Sequence, residues 1–278
     1  MTTVLELLGL AIGGVAVLAL LSRRDGQAWR IATPLVFGVL VLAVWQLACD
    51  GFDIPRVLLP APLSIVAAIG RSLPVLAADF MQTVAHAVLI GWLVGSGTGL
   101  LAAIALDRSP FLRRGVTPLG SLVSAMPIVG IAPIMVMWFG FDWQSKAAVI
   151  IVMTFFPMLV NATAGLEGAG AMERDLMHSY GASYWQTLFK LRLPNALPFV
   201  FNALKLNSTL ALIGGIVAEF FGTPIVGMGF RISTEVARMN LDVVWAEITL
   251  AAVVGSASFA ALALVERAVT FWHPSFRS

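Results

Sequence analysis

Long apolar runs broken by polar stretches set the plan of this chain. A helix that crosses a bilayer needs about 20 largely apolar residues, with every backbone polar group bonded inside the helix. Seven stretches meet that description: residues 4–21, 31–48, 83–106, 117–139, 147–166, 199–218 and 243–265. They are too long for strands and lack the alternating pattern of a transmembrane barrel. A more polar stretch, 167–198, separates the fifth from the sixth. The pattern predicts an all-α integral membrane protein.

Composition agrees and removes several function classes. Of 278 residues, 59% are apolar and 12% charged, with a mean hydropathy of +0.92; soluble chains average roughly 45–50% and about 25%. A secreted enzyme and a cytosolic nucleic-acid binder are excluded. Lys and Arg number 17 against 15 Asp and Glu, so the pI near 9.0 reflects a small imbalance among few charges. The 8 Trp and 2 Tyr form no aromatic and basic ladder for stacking bases; no nucleic-acid partner is expected. Cys49 is the single cysteine, which excludes an intramolecular disulfide and a thiolate metal cage. His86, His178 and His273 are far apart in sequence, so no metal site is expected. No Ser/His/Asp set suggests a hydrolase.

The first run has Glu6 and no basic residue before it, and no small-residue cleavage site precedes Arg23 and Arg24. It reads as a retained anchor helix, not a secretory signal. Orientation follows the basic residues. With the loop around Arg23, Arg24 and Arg30 inside, eleven Lys and Arg lie inside and five outside, Lys205 falling within a span. This expects an outside N-terminus, a cytoplasmic C-terminus, and 167–198 in the cytosol.

Within the spans, Gly91, Gly95 and Gly99 leave one helix face smooth enough for another backbone to approach. Residues 255–258 supply a similar small surface. Packing inside the subunit and a dimer seam both fit. Pro118, Pro127 and Pro133 predict a kink or interruption in 117–139; it either lines a cavity or only shapes packing. Lys205 is expected to snorkel to the headgroups, and Glu219 and Glu247 to lie near the interface. Asp107 and Arg108 close a span at the inner surface. No chain of buried carboxylates or histidines is evident, which argues against a proton-coupled pump. The polar groups left at depth are Asn161, Asn202, Asn207 and Thr209. A substrate path and interhelical hydrogen bonds both suit them; with Pro127 and Glu219 they are the candidate translocation-path residues.

The stretch 167–198 is the most informative. Glu173 and Asp175 occupy the first turn of a short helix, 172–180, where acids favour the dipole. Gly181 supplies a left-handed closing residue. Ser183 with Gln186 three positions on makes a capping box for a helix over 184–191, expected to stop at Pro194. Trp185, Leu188 and Phe189 are expected on one face, and Leu176, Met177 and Tyr180 form an apolar patch on the helix before. Such a patch needs a cover: the subunit's own helix ends, or a groove on another protein.

The residue order here resembles the EAA loop of ABC importer permeases, Glu-Ala-Ala, three residues, Gly, nine residues, Ile-x-Leu-Pro. Gly181, Leu193 and Pro194 match at the right spacing. Asp175 stands for Glu, Leu176 and Met177 for the alanines, and Leu191 for Ile. The resemblance spans roughly residues 30–270. Leu59, Pro60, Ala61 and Pro62 resemble the Leu-Pro-Ser-Pro of the nitrate, sulfonate and taurine branch. So do Pro127 with Ala132, Pro133 and Ile134, then Trp138, Phe139 and Gly140, then Phe155, Phe156 and Pro157. Ala218 and Glu219 followed by Gly227, Met228 and Gly229 match its late segment.

The resemblance implies a type I importer transmembrane domain over 31–278, six core spans preceded by an extra N-terminal helix and loop, 1–30. It implies a second permease copy or similar subunit around a central path, and an external solute-binding protein. The loop 167–198 would dock in ABC ATPase subunits, whose closure on ATP rocks the membrane halves. The chain itself lacks a Gly-x-x-x-x-Gly-Lys-Ser/Thr phosphate loop; ATP and Mg are expected on the partner, and the chain is a transport subunit rather than an enzyme. Residues 211–221 look closest to importers of pyrimidine precursors or flavins, within a branch that also takes sulfonates, taurine and nitrate. An ATP-independent secondary transporter would instead need matched broken helices in two halves, and a non-transporting scaffold would not need the Gly and Leu-Pro corner.

Overall fold

The computed structural model describes residues 2–23, 26–109, 111, 128–222 and 224–272. Eleven α-helices and no strand occur among these residues. They are α1 (Thr2–Ser22), α2 (Gln27–Gly51), α3 (Pro62–Phe80), α4 (Leu89–Arg108), α5 (Ile128–Phe139), α6 (Trp143–Glu167), α7 (Ala171–Ser179), α8 (Tyr184–Thr187), α9 (Leu193–Glu219), α10 (Met228–Ala237) and α11 (Leu241–Val269). Two π-helical segments, Met81–Val88 and Leu188–Arg192, join α3 to α4 and α8 to α9.

Six helical runs are long and apolar enough to cross a membrane: Val4–Ser22, Ala28–Gly51, Pro62–Arg108, Trp143–Glu167, Tyr184–Glu219 and Leu241–Val269. Six of the seven expected spans fall inside these runs one for one. The expected 83–106 is the second half of Pro62–Arg108, a run of 47 residues. At 1.5 Å per residue that run is more than twice the roughly 30 Å of hydrocarbon. Its first half was hidden because Arg71, Asp79 and Gln82 interrupt the apolar pattern. The fourth expected span appears as the shorter apolar helix Gly130–Phe139; Pro118 and Pro127 lie outside the described residues. Pro133 lies within α5.

The chain divides into two compact units, Met1–Leu76 with Ile232–Thr249, and Ala77–Arg231 with Leu250–Ser278. In the first, α1 packs on α2, with the Leu40 side chain over Gly14. Gln46 Oε1 accepts from Leu63 N at 3.0 Å, Ser64 Oγ donates to Asp242 Oδ1 at 3.1 Å, and Trp45 and Trp245 meet edge-on at 5.0 Å.

In the second unit α6 lies between α4 and α9. The glycine stripe of α4 makes this possible. A Cβ on Gly91 would stand 2.7 Å from Ile150 Cβ, and one on Gly99 would stand 2.5 Å from Phe155 O. A Cβ on Gly95 would collide with Thr154 Oγ1. On the other side, Gly165 of α6 faces Ala196 and Phe199 of α9. The stripe therefore serves packing inside the subunit. Ala103, Leu106, Met158, Leu159, Ala162, Leu166, Leu188, Ala196 and Val200 form one buried cluster along this stack, and Ala87, Val88, Ile150, Ala211 and Leu212 another.

Candidate functional site

The elbow between α6 and α9 is built from local rules. Helix α7 starts one residue before the expected position, so Glu173 remains in its first turn and Asp175 does not. It ends at Gly181, whose φ of +66° is the left-handed conformation that favours glycine. Gly181 N donates to His178 O and Ala182 N to Met177 O, at 2.9 and 3.0 Å, the paired closure of a Schellman cap. The chain turns at once into α8. Gln186 N donates to Ser183 Oγ and Ser183 N to Gln186 Oε1, the expected capping box.

Two expectations are corrected here. Pro194 does not stop a helix: Tyr184–Glu219 is one continuous run, with Pro194 in the first turn of α9. Proline lacks the N–H for an i−4 bond, and its ring crowds the i−4 carbonyl. The π-helical segment Leu188–Arg192 widens the turn just before it, which leaves room for the ring. Nor do Trp185, Leu188 and Phe189 share a face. Leu188 is fully buried in the stack, whereas Trp185 and Phe189 are exposed, their rings stacked at 6.0 Å.

The elbow is fastened by residues that sequence reasoning did not single out as a site. Arg192 forms a bidentate pair with Asp107 at the end of α4, with N···O distances of 2.7 and 2.6 Å, and donates from Nε to Leu166 O of α6. Both charged side chains are largely buried, 15% and 8% exposed. Tyr184 Oη donates to Asp107 Oδ2 at 2.9 Å. Arg108 lies over the rings of Tyr184 and Trp185, at 5.8 and 5.5 Å from their centroids. The available signal was charge: Asp107 and Arg108 fell at a span end and Arg192 in the polar stretch 167–198, but nothing in sequence pairs positions 85 residues apart.

Above this tie several large apolar side chains are uncovered. Met172, Leu176, Tyr180, Trp185 and Phe189 are all exposed, Tyr180 by 81%. Asp175, Gly181 and Ser183 are exposed too; Met177, Leu191, Leu193 and Pro194 are half-buried. The arrangement is a corner with uncovered aromatic rings, continuous with α9 and held to α4 and α6 by one buried guanidinium.

The path candidates scatter. Asn207 is buried and donates from Nδ2 to Ser96 Oγ at 3.0 Å and to Thr154 O at 2.7 Å, joining α9 to α4 and α6. Asn161 bonds back to Pro157 O within its own helix. Asn202 and Thr209 lie on the exposed face of α9 with Leu206 and Ile213. Pro127 lies outside the described residues.

Glu219 ends its spanning run and is buried within the protein. It accepts from Thr83 Oγ1 at 2.7 Å and from Gly229 N at 2.6 Å. Thr83 Oγ1 in turn accepts from Met228 N, and Asp79 accepts from Gly227 N and Arg231 Nε. The late segment Gly227, Met228, Gly229 is thus held by two carboxylates. Glu247 is also fully buried, and Lys205 pairs with Glu266 at 2.7 Å. Buried carboxylates are therefore more numerous than the pattern suggested, because their partners come from distant elements. Among the described residues no group of three His, Cys, Asp or Glu is placed to hold a metal.

The family model of the binding-protein-dependent transport system inner membrane component matches residues 95–271. This chain belongs to that family. Over 247 residues the permease is 28% identical to the formylaminopyrimidine transport permease protein ThiX of Halalkalibacterium halodurans, covering 88% of this chain and 98% of that one. It is 27% identical to a putative aliphatic sulfonates transport permease protein, SsuC of Bacillus subtilis, over 87% of this chain and 88% of the relative. A solved structure of the MetNI methionine ABC transporter in inward-facing conformations superposes with a TM-score of 0.60 at 18% identity, covering 72% of this chain and 98% of that one. The permease is an ABC importer subunit of the nitrate, sulfonate and taurine branch, with the type I importer fold.

Proposed function

We propose that this permease is driven by ABC ATPase subunits that grip the elbow of α7 and α8 from the cytosol, ATP and Mg being bound on those subunits. The observation that carries the reading is the exposed set Tyr180, Trp185 and Phe189 on a corner that runs into α9 and is fastened through Arg192 to α4 and α6. Apolar rings in water are a cost that a partner surface removes. A push on that corner passes to α4, α6 and α9 without first bending a loop. The partners are a second permease copy or similar subunit and an external solute-binding protein, in a bacterial inner membrane with lipid around the apolar faces. The division into an N-terminal helix, 1–30, and a permease domain, 31–278, belongs to the same proposal.

The cargo is a small polar solute. The likeness of residues 211–221 to pyrimidine-precursor and flavin importers, and the formylaminopyrimidine permease among the relatives, support a heterocyclic vitamin precursor over a sulfonate, taurine or nitrate. Binding of candidate ligands to the partner binding protein tests this: tight taurine or alkanesulfonate binding with none for pyrimidines or flavins overturns it.

The coupling test is co-purification of the ATPase with a Trp185→Ala, Phe189→Ala double variant. Both rings are exposed, so the fold is expected to survive while the ATPase and uptake are lost. Retained ATPase would sink the assignment of this corner, and vesicles that accumulate solute without any ATPase would favour the secondary carrier.

A further inference from the structure

A cavity of about 780 Å³ in the first unit lies between the last turns of α2, the loop after it and the first turns of α3. That is within the roughly 300–1,000 Å³ typical of small-molecule sites. Its charged lining is Asp50, Asp53, Arg56 and Arg71. Gln46 Nε2 occupies one oxygen of Asp50 at 2.8 Å. Asp53, Arg56 and Arg71 have no ion-pair partner among the described residues. Two cations and two anions around one cavity suit a ligand that carries both signs.

Position narrows the ligand. One spanning run ends at Gly51 and the next helical run begins at Pro62, so the cavity sits where the chain leaves the apolar layer after α2. At 100° per residue, Ser64, Ala67 and Arg71 fall on the cavity face of α3. Leu63, Val66, Gly70 and Leu73 form the adjoining stripe, with Leu63, Val66 and Leu73 exposed by 69%, 64% and 57%. A polar cavity bordered by an uncovered apolar stripe at the bilayer edge fits a molecule with a charged head and a hydrocarbon tail.

We propose that this cavity binds the headgroup of a zwitterionic, amine-bearing phospholipid. Arg56 and Arg71 take the phosphate, a group that guanidinium recognises well; Asp50 and Asp53 take the amine. The acyl chains run along Leu63, Val66 and Leu73. The inference stands apart from the coupling proposal, since it uses none of the elbow residues.

The test uses the full chain in nanodiscs of mixed phosphatidylethanolamine and phosphatidylglycerol, with retained lipid counted by native mass spectrometry. Phosphatidylethanolamine is expected in excess of its share of the bilayer. An Arg56→Gln, Arg71→Gln variant should lower its retention about tenfold, the effect of roughly one charge-assisted bond, at unchanged helix content. Ala67→Trp, which fills the cavity and keeps every charge, should do the same. Equal retention of phosphatidylglycerol, with no response to Asp50→Asn, Asp53→Asn, overturns recognition of the amine. Displacement of the lipid by inorganic phosphate alone shows a free-anion site and overturns the lipid. Loss of binding-protein docking in these variants at unchanged lipid retention assigns the cavity to a protein contact and overturns it as well.

Discussion

The two ends of the helix stack formed by α4, α6 and α9 solve opposite problems. At the elbow end one ion pair, Arg192 with Asp107, is buried while five large apolar side chains stay exposed above it. At the other end the polar groups go inward: Asp79, Thr83 and Glu219 are each buried and accept from the backbone of residues 227–229 or from one another. The buried polar groups of the second end satisfy one another and the backbone beside them. The first leaves apolar surface for something else to cover, and the buried pair beneath it keeps that surface in place. Burial of charge and exposure of hydrophobic rings, each costly alone, fit the proposed corner that is both stiff and available to a partner.

Cutting the tie tests that contrast most severely. Asp107→Ala leaves the Arg192 guanidinium buried without its carboxylate, a loss of about 3–5 kcal/mol in such sites. The unfolding midpoint in detergent should fall sharply, and uptake with it. If uptake fell while stability did not, the pair would be acting in docking rather than in holding the corner.

Next is the seam that both ends share. Gly95→Val forces a side chain onto Thr154 Oγ1 and within about 2.9 Å of Ile151 Cα; overpacking of this kind costs roughly 1–3 kcal/mol. Both ends should loosen together, read as faster amide exchange in α4 and α6. Loosening at one end alone would show that the two are not mechanically joined.

Trp185→Ala by itself should change stability by no more than about 0.5 kcal/mol, yet weaken ATPase co-purification clearly. This is the sharpest separation between an exposed surface for a partner and a self-satisfied one. A large drop in stability would mean the indole is structural, held by Arg108 and Tyr184.

The smallest effect lies beside the self-satisfied end. Asp142 caps α6, accepting from Trp143 N at 2.7 Å and from the Gln82 amide at 2.8 Å. Those bonds, the Gln82 one first, hold its carboxyl below the usual carboxylate range. A depressed value contributes stability above the unfolded pKa, near ~3.9, and that contribution is lost as pH falls through the folded value. Acid titration of the unfolding midpoint should show a slightly steeper fall for the wild type than for Asp142→Asn.

Much of this was legible without coordinates, and for stated reasons. Span positions came from apolar length, because hydrocarbon tolerates little else. Gly181 and the Ser183 box came from short-range rules that involve neighbours only. The Gly91, Gly95, Gly99 stripe announced a close packing partner without saying which helix it was. The expected stop at Pro194 failed because the rule assumes α-geometry, and the π-helical segment Leu188–Arg192 relieves the clash that would have ended the helix. The pairing of Lys205 with Glu266 was not legible, because a partner 61 positions on is invisible to a local reading.

Order along the chain therefore determined that this is a bundle of membrane helices with a capped corner of importer type, since periodicity, caps and spacing are properties of adjacent residues. Tertiary structure alone decided which carboxylate meets which cation or backbone N–H, and which rings stay in water. Those outcomes depend on helices brought together across many tens of residues, where the gain from pairing a buried charge is settled by geometry and not by neighbours in sequence.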